Sequence, residues 1–96
     1  MNYWAWGGKY IGHRNGDYLY SSRGNPIGYF NGDEVYDFNG KYIGELKNEN
    51  RLIVNRSKRS YRKSLRAKPC NIAGSSYANY AGYAMYAGYD DFEVTR

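Results

Sequence analysis

Residues 15–44 read NGDYLYSSRGNPIGYFNGDEVYDFNGKYIG, and this stretch decides the fold because one pattern occurs in it twice. The offset between the two copies is 16 residues, and a further copy precedes them. The recurring elements are Ile11-Gly12, Ile27-Gly28 and Ile43-Gly44, then Asn15-Gly16-Asp17, Asn31-Gly32-Asp33 and the degenerate Lys47-Asn48-Glu49. A fixed period of this kind indicates one supersecondary unit that is used repeatedly.

Each unit has the pattern of a β-hairpin. Short runs of aromatic and β-branched residues alternate with turns that contain glycine, and Asn-Gly is the strongest short-range signal for a hairpin turn. The abundance of Gly and Tyr, with 12 and 13 copies, also favours strands and turns over helices. The predicted strands are residues 2–6, 10–14, 17–22, 26–31, 33–38, 41–46 and 51–55.

A single hairpin of this length cannot bury its apolar face, so the units must pack on one another. An open stack would leave both ends uncapped, whereas closure into a ring hides the strand edges, and we expect closure. In a closed ring, the Ile of each Ile-Gly pair would point towards a crowded axis, and the Gly would allow the backbones to approach closely. The alternative is that these glycines are simple β-bulges. Trp4, Tyr20 and Tyr36 fall at equivalent positions and form either a core layer or an aromatic surface for a sugar or quaternary ammonium.

The pattern Tyr20-x-x-x-Gly24-x-x-Ile27-Gly28-x-x-x-Gly32-Asp33-x-Val35-Tyr36 resembles the bacterial family described as the four-fold beta flower. Its continuation through residues 40–45 and 51–55, and the run Gly88-Tyr89-Asp90-Asp91-Phe92, are similar too. The resemblance implies an all-β fold with four hairpin petals around a pseudo-four-fold axis. It implies no established activity.

Residues 51–68 carry eight basic and no acidic side chains. Residues 56–76 are therefore predicted to form a solvated basic linker after the hairpin domain of residues 1–55. The alternative is a patch for nucleic acid or an acidic partner protein. Its candidate residues are Arg56, Lys58, Arg59, Arg62, Lys63, Arg66 and Lys68.

Residues 77–96 begin with a tyrosine at every third position, namely Tyr77, Tyr80, Tyr83, Tyr86 and Tyr89. In polyproline II, which has three residues per turn, the rings line up on one face, and we expect an extended segment of this kind. A disordered tail and an Ala-rich helix are the alternatives. Polyproline II has no internal hydrogen bonds, so the ladder must pack on the hairpins or on a second copy of the chain. Residues 92–95 alternate like a strand that completes a fourth petal beside residues 51–55.

The sequence contains no recognisable catalytic or cofactor motif. His13 is the single histidine and Cys70 the single cysteine, so neither a His-paired metal site nor an internal disulfide is expected. Asp17, Asp33 and Glu49 occupy equivalent turns, where they either satisfy their own backbone or surround a hard cation. No membrane span or signal peptide is recognisable, which favours a cytoplasmic protein.

We therefore expect a small, non-enzymatic structural or binding module that forms homo-oligomers through the tyrosine ladder. Binding of a polyanion by residues 51–68 is the second interpretation. Recognition of carbohydrate or cell-wall material by the hairpin aromatics is the third.

Overall fold

The computed structural model describes residues 1–94 and contains eight strands. They are β1 (Asn2–Ala5), β2 (Tyr10–Asn15), β3 (Tyr18–Ser21), β4 (Pro26–Asn31), β5 (Glu34–Tyr36), β6 (Tyr42–Lys47), β7 (Arg51–Asn55) and β8 (Tyr89–Asp91). A short 3₁₀ helix, Arg56–Lys58, follows β7, and the Asn55 side chain caps it by accepting from the Ser57 amide. The first seven strands agree with the predicted ones to within a few residues, because their turns are set by local glycine and asparagine signals. Within residues 1–94, no helix is long and apolar enough to cross a membrane.

The strands form a meander that closes on itself. Each of β1 to β7 pairs antiparallel with the next strand, and β1 also pairs parallel with β7 through Trp4↔Arg51 and Ala5↔Leu52. This last pairing turns the meander into a closed seven-stranded barrel, so the all-β, closed prediction is confirmed. β8 pairs antiparallel with the second half of β7, residues Ile53 to Asn55, beyond the two residues that pair with β1.

The Ile-Gly pairs combine both of their predicted roles. In the hairpin β1–β2, Tyr3 pairs with Gly12 and Trp4 with Tyr10, so Ile11 is an extra, bulged residue. Ile27 and Ile43 are bulged in the same way, and all three pack into or against the core. A Cβ on Gly12 would overlap the carbonyl oxygen of Tyr20, and one on Gly28 would overlap that of Tyr36. The glycine is therefore needed for close strand approach.

The fourth unit departs from the 16-residue period. The 16-residue offset matches Arg51 with Val35, but the turn before β7 contains one additional residue. Leu46 pairs with Leu52 as Phe30 pairs with Val35, so Leu52 occupies the core position. Asn48, with a φ of 61°, takes the left-handed position that glycine fills in the earlier turns.

The C-terminal strand also differs from the prediction. It spans Tyr89–Asp91 and pairs with Val54 and its neighbours in β7, beside residues 51–55 as expected. Residues 92–94 are not a strand, and Thr95 lies outside the described residues. Phe92 instead leaves the sheet and is buried against Gly44, because the barrel has room there for a large ring.

The core is aromatic as well as aliphatic. One buried cluster contains Tyr3, Ala5, Ile11, Leu19, Phe30, Val35, Leu52 and Phe92. A second cluster consists of Tyr29, Tyr36 and Tyr42. Buried tyrosine hydroxyls need polar partners, and two of these find them in carboxylates: Tyr36 donates to Glu34 and Tyr42 to Glu45.

Candidate functional site on the barrel rim

Residues 61–88, which we call the strap, run along the rim of the barrel. The strap contains no helix and no strand, apart from one isolated bridge between Lys41 and Arg62. It passes over the hairpin turns in reverse order, first the turn at Gly40, then that at Gly24, then that at Gly8. The strap therefore connects three petals that are far apart in sequence.

The strap contacts each of these turns by the same pair of hydrogen bonds. One strap amide donates to the carbonyl of the turn glycine, and the amide three residues later donates to the carbonyl two residues before that glycine. The six bonds, with N···O distances of 2.8–3.2 Å, are Lys63 to Gly40, Arg66 to Phe38, Ile72 to Gly24, Ser75 to Ser22, Tyr80 to Gly8 and Tyr83 to Trp6. Barrel positions separated by 16 residues thus form three equivalent docking stations for the strap.

The turn glycines make these stations possible. Gly8, Gly24 and Gly40 have φ values of +103°, +86° and +88°, a region that other residues rarely adopt. A Cβ at each would overlap a strap carbonyl, that of Tyr80, Ile72 or Lys63 respectively. The repeated glycine therefore shapes the turn and also leaves space for the strap.

The strap also satisfies barrel amides beside the turns. The amide of Tyr10 donates to the Asn79 side chain at 2.9 Å, and the equivalent amide of Tyr42 donates to the Tyr61 carbonyl at 3.2 Å. The equivalent residue in the second hairpin is Pro26, which has no N–H to satisfy. The second station therefore needs no acceptor at this position.

The tyrosine ladder packs on aromatic residues of the first hairpin. Tyr80 stacks on Trp4, with ring centroids 3.9 Å apart. Tyr77 contacts Trp4 and Tyr10, and both Tyr83 and Tyr86 contact Trp6, with centroids 4.8 Å and 5.4 Å from it. The four ladder rings remain 46–52% exposed. Each ring is therefore held on one side by the barrel and open to solvent on the other.

Three strap carbonyls, also spaced by three residues, accept hydrogen bonds from the barrel. The indole nitrogens of Trp4 and Trp6 donate to Ala78 and Ala84 at 2.9 Å and 2.8 Å. Between them, Ala81 accepts from the guanidinium of Arg51 at 2.9 Å. Every third strap carbonyl between residues 78 and 84 thus faces the barrel.

Arg51 is a buried cation beneath the ladder. It is 4% exposed, donates to the Trp6 carbonyl as well as to Ala81, and lies 4.2 Å from the ring centre of Tyr83. Its Nε has no hydrogen-bond partner among the described residues. The positive charge is compensated by carbonyl dipoles and ring faces, a cation–π arrangement that strengthens when water is excluded.

Three of the basic candidates are bound in ion pairs. Arg56 and Arg59 both pair with Asp90, and Lys58 lies 2.8 Å from Glu34 and 3.0 Å from Glu45. The hydrogen bond from Lys58 lowers the pKa of Glu34, and the hydrogen bond to Glu34 raises the pKa of Lys58. These residues fasten the 3₁₀ helix and β8 to the barrel.

The other four basic candidates lie on the strap and have no carboxylate partner among the described residues. Arg66 stacks 4.2 Å above the ring of Tyr29, and the Lys63 ammonium lies 5.9 Å from that of Tyr36. Arg62 donates only to the Tyr61 carbonyl, and Lys68 is exposed.

The remaining candidates are placed as follows. Trp4, Tyr20 and Tyr36 are 5%, 4% and 0% exposed, which corrects the interpretation of these rings as an aromatic ligand surface. Among residues 1–94, no group of three or more His, Cys, Asp and Glu side chains is placed to hold a metal ion. Cys70 is exposed, and the His13 ring lies 3.1 Å from the Ser75 hydroxyl on the strap.

Trp6 and Arg51 contribute to the site but were not among the sequence candidates. Trp6 lies two residues before the turn glycine. At each of the three stations, the carbonyl at this position accepts a hydrogen bond from a strap amide. Arg51 belongs to the basic segment of residues 51–68. The sequence signal that distinguishes it is its alignment with the apolar Val35 at the 16-residue offset. Arg51 is buried because the strap covers it, with the Ala81 carbonyl and the Tyr83 ring against its guanidinium.

Comparison with known proteins agrees with this architecture. The model of the family described as 4-fold beta flower protein matches residues 4–81. The match spans most of the chain, including the three hairpins and most of the strap, and the chain belongs to this family. No curated protein and no solved structure gives a significant match.

Proposed function

We propose that the protein is a small, non-enzymatic structural module that self-associates through the outer half of its tyrosine ladder. The observation that carries this proposal is the state of Tyr77, Tyr80, Tyr83 and Tyr86, each held by barrel aromatics on one side and half exposed on the other. Met85, which precedes Tyr86 in the strap, is also 43% exposed.

The composition of this surface suits contact with an identical surface. Residues 77–88 contain no charged side chain, so two ladders can meet over most of this surface without desolvating a charge, and the Lys47 ammonium lies 5.4 Å from the ring centre of Tyr86 at one end of it. Tyrosine supplies both ring area and a hydroxyl for hydrogen bonding, and aromatic pairs contribute about 0.5–1.5 kcal/mol beyond their buried area. Closed symmetric dimers with one self-complementary patch are the commonest soluble oligomers.

Preorganisation supports the proposal further. The stacking of Tyr80 on Trp4 and the tilted contacts of Tyr83 and Tyr86 with Trp6 fix the rings before a partner arrives. The entropy cost of ordering side chains on association, about 0.5–1.5 kcal/mol for each, is thereby reduced. The three-residue spacing of the barrel-facing carbonyls supports the polyproline II conformation that we propose for the ladder.

The non-enzymatic part of the proposal has a separate basis. The most conspicuous titratable cluster in the described chain is that of Glu34, Glu45 and Lys58, whose groups are engaged with one another and with Tyr36 and Tyr42. Such a cluster serves the stability of the fold rather than proton transfer to a substrate.

Light scattering of the full chain tests the proposal. We expect the wild type to form a discrete oligomer at micromolar concentration, and Met85→Lys to be monomeric because it places a charge in the uncharged surface. Leu65→Lys is the matched control, since Leu65 is 75% exposed on the strap but outside the ladder, and it should leave the mass unchanged. Deletion of the strap is less informative because it uncovers Trp4, Trp6 and Tyr10. A monomeric wild type contradicts the proposal.

A further inference from the structure

A set of unpaired cations lies on the first half of the strap and on the turns beneath it. In the described part of the chain, ion pairs engage Arg14, Arg56, Lys58 and Arg59. Nine other basic residues among residues 1–94 have no carboxylate within ion-pair distance, and we call the six of them that belong to the first half of the strap and the turns beneath it the cation arc. They are Arg23, Lys41, Arg62, Lys63, Arg66 and Lys68.

The arc is contributed by the strap and the barrel together. Lys41 and Arg62 form a backbone bridge, which places the start of the strap beside the third hairpin. At the other end, a Cβ on Gly74 would lie 3.2 Å from the carbonyl carbon of Arg23, in the turn of the second hairpin. Docking of the strap thus brings cations from distant sequence positions onto one stretch of the rim.

Arg66 has the geometry of a phosphate-binding residue. The central carbon of its guanidinium lies 4.2 Å from the ring centre of Tyr29 and 5.9 Å from that of Tyr18. It donates no hydrogen bond to the described residues, so its five N–H groups are free for a ligand. A guanidinium that is oriented by stacking and keeps its donors free can bind a phosphate bidentately.

Aromatic rings accompany the arc on the same strap. Tyr61, 44% exposed, precedes Arg62, and the half-exposed ladder begins at Tyr77 after Lys68. A positively charged track with aromatic rings, on which bases stack, is the usual arrangement for single-stranded nucleic acid. A polyanion without bases would use only the charges.

The acidic neighbours limit where a ligand can lie. Lys41 and Arg62 also line a groove of about 760 Å³ whose other walls include Asp37, Asp90, Asp91 and Glu93. The groove therefore has no net attraction for an anion, and the outer side of the strap, with Lys63, Arg66 and Lys68, is the favourable path. From these observations we propose that the cation arc binds single-stranded nucleic acid, with phosphates on the arc and a base on Tyr61.

Fluorescence anisotropy with a labelled single-stranded oligonucleotide of mixed sequence tests this proposal on the full chain. We expect binding at low salt that weakens as salt rises, and for Arg66→Gln with Lys68→Gln a slope of log K against log salt that is smaller by about 1.4. Arg56→Gln is the matched control, because Arg56 is paired with Asp90, and its slope should equal that of the wild type. Tyr61→Ser should weaken binding several-fold without changing the slope.

Each other result overturns the proposal. The proposal is wrong if the wild type does not bind the oligonucleotide at low salt. It is also wrong if Arg56→Gln reduces the salt slope as much as Arg66→Gln with Lys68→Gln does. If inorganic polyphosphate competes as strongly as the oligonucleotide and Tyr61→Ser has no effect, the arc binds any linear polyanion, and the proposal of a nucleic-acid ligand is wrong. Lys68→Gln with Arg23→Gln repeats the slope measurement without disturbing the Arg66–Tyr29 stack. Light scattering of the same variants reports on the tyrosine ladder separately, so the two proposals can fail independently.

Discussion

The indole ring of Trp4 and the phenol ring of Tyr80 stack with their centroids 3.9 Å apart and their planes inclined by 13°. Trp4 belongs to the first strand and Tyr80 to the strap, so this one contact joins the two ends of the chain. The Trp4 indole also donates to the Ala78 carbonyl at 2.9 Å, which fixes the strap beside the stacked ring. The strap is thus part of the folded domain and the source of both proposed surfaces.

Replacement of a station glycine should be more damaging than replacement of an ordinary turn glycine. Gly24 has a φ of +86°, and a Cβ there would overlap the Ile72 carbonyl. Gly32 has a φ of +62° and nothing within 4 Å. Gly32→Ala should lower the free energy of unfolding by about 1–2 kcal/mol, the cost of a left-handed conformation. Gly24→Ala should lower the free energy of unfolding clearly more than Gly32→Ala does, because the strap must also move. Equal losses in urea denaturation contradict the station geometry.

Stability should fall at both ends of the pH range because of the cluster around Glu34. Lys58 lowers the pKa of Glu34, so the stabilisation is present above the unfolded pKa of about 4.5 and is lost as the pH falls through the lower folded value. Burial and the bond to Glu34 raise the pKa of Tyr36 to about 12. That stabilisation is present below about pH 10 and is lost as the pH rises towards 12.

Urea denaturation across this pH range checks the assignment. Glu34→Gln should flatten the acid side of the stability curve, and Tyr36→Phe should flatten the alkaline side. Asp33→Asn, in the neighbouring exposed turn, is the matched control and should reproduce the wild-type curve. If Glu34→Gln loses stability at low pH just as the wild type does, the ion pair between Lys58 and Glu34 is not the cause of that loss.

Loss of the Arg51 guanidinium should loosen the strap more than it disturbs the barrel. Arg51 donates to Trp6 and Ala81, and a hydrogen bond from a charged group contributes about 1.5–3 kcal/mol. Arg51→Met keeps the apolar stem, so we expect a loss of about 2–4 kcal/mol. Hydrogen exchange of the Tyr83 amide should accelerate, while amides of β3 and β4 keep their protection relative to global unfolding. An equal change in all of them would mean that Arg51 supports the barrel as a whole.

The sequence predicts the hairpins well because their signals are local. Asn-Gly turns, turn glycines and the Ile-Gly pair each specify backbone geometry within a few residues, and the closed all-β fold follows from their repetition. The strand at residues 51–55 was predicted with its observed bounds, but the period does not give its register, because one inserted residue in the turn at Asn48 breaks the period while keeping the left-handed turn position. The C-terminal strand was placed a few residues too late because the alternation of residues 92–95 does not show that Phe92 enters the core.

The candidate site was only partly predictable. The three-residue spacing of the ladder tyrosines is visible in the sequence, and so is the positive charge of residues 51–68. The acceptors at the docking stations are backbone carbonyls, which every residue type has. The path of the strap could therefore not be predicted from the sequence. The burial of Arg51 depends on that path, and the pairing of Lys58 with Glu34 and Glu45 depends on how the 3₁₀ helix packs against the barrel. Only the structure therefore separates the paired cations from those of the arc.

Hydrogen exchange of the strap amides, measured residue by residue, tests the docking of the strap most directly. The amides that donate at the stations should exchange slowly, and they are Lys63, Arg66, Ile72, Ser75, Tyr80 and Tyr83. The amides of Ala73 and Ala81, which donate no hydrogen bond in the described structure, should exchange rapidly and serve as internal controls. Protection that recurs at the paired positions over all three turns is the predicted result. Fast exchange throughout residues 61–88, with a protected barrel, would contradict the account.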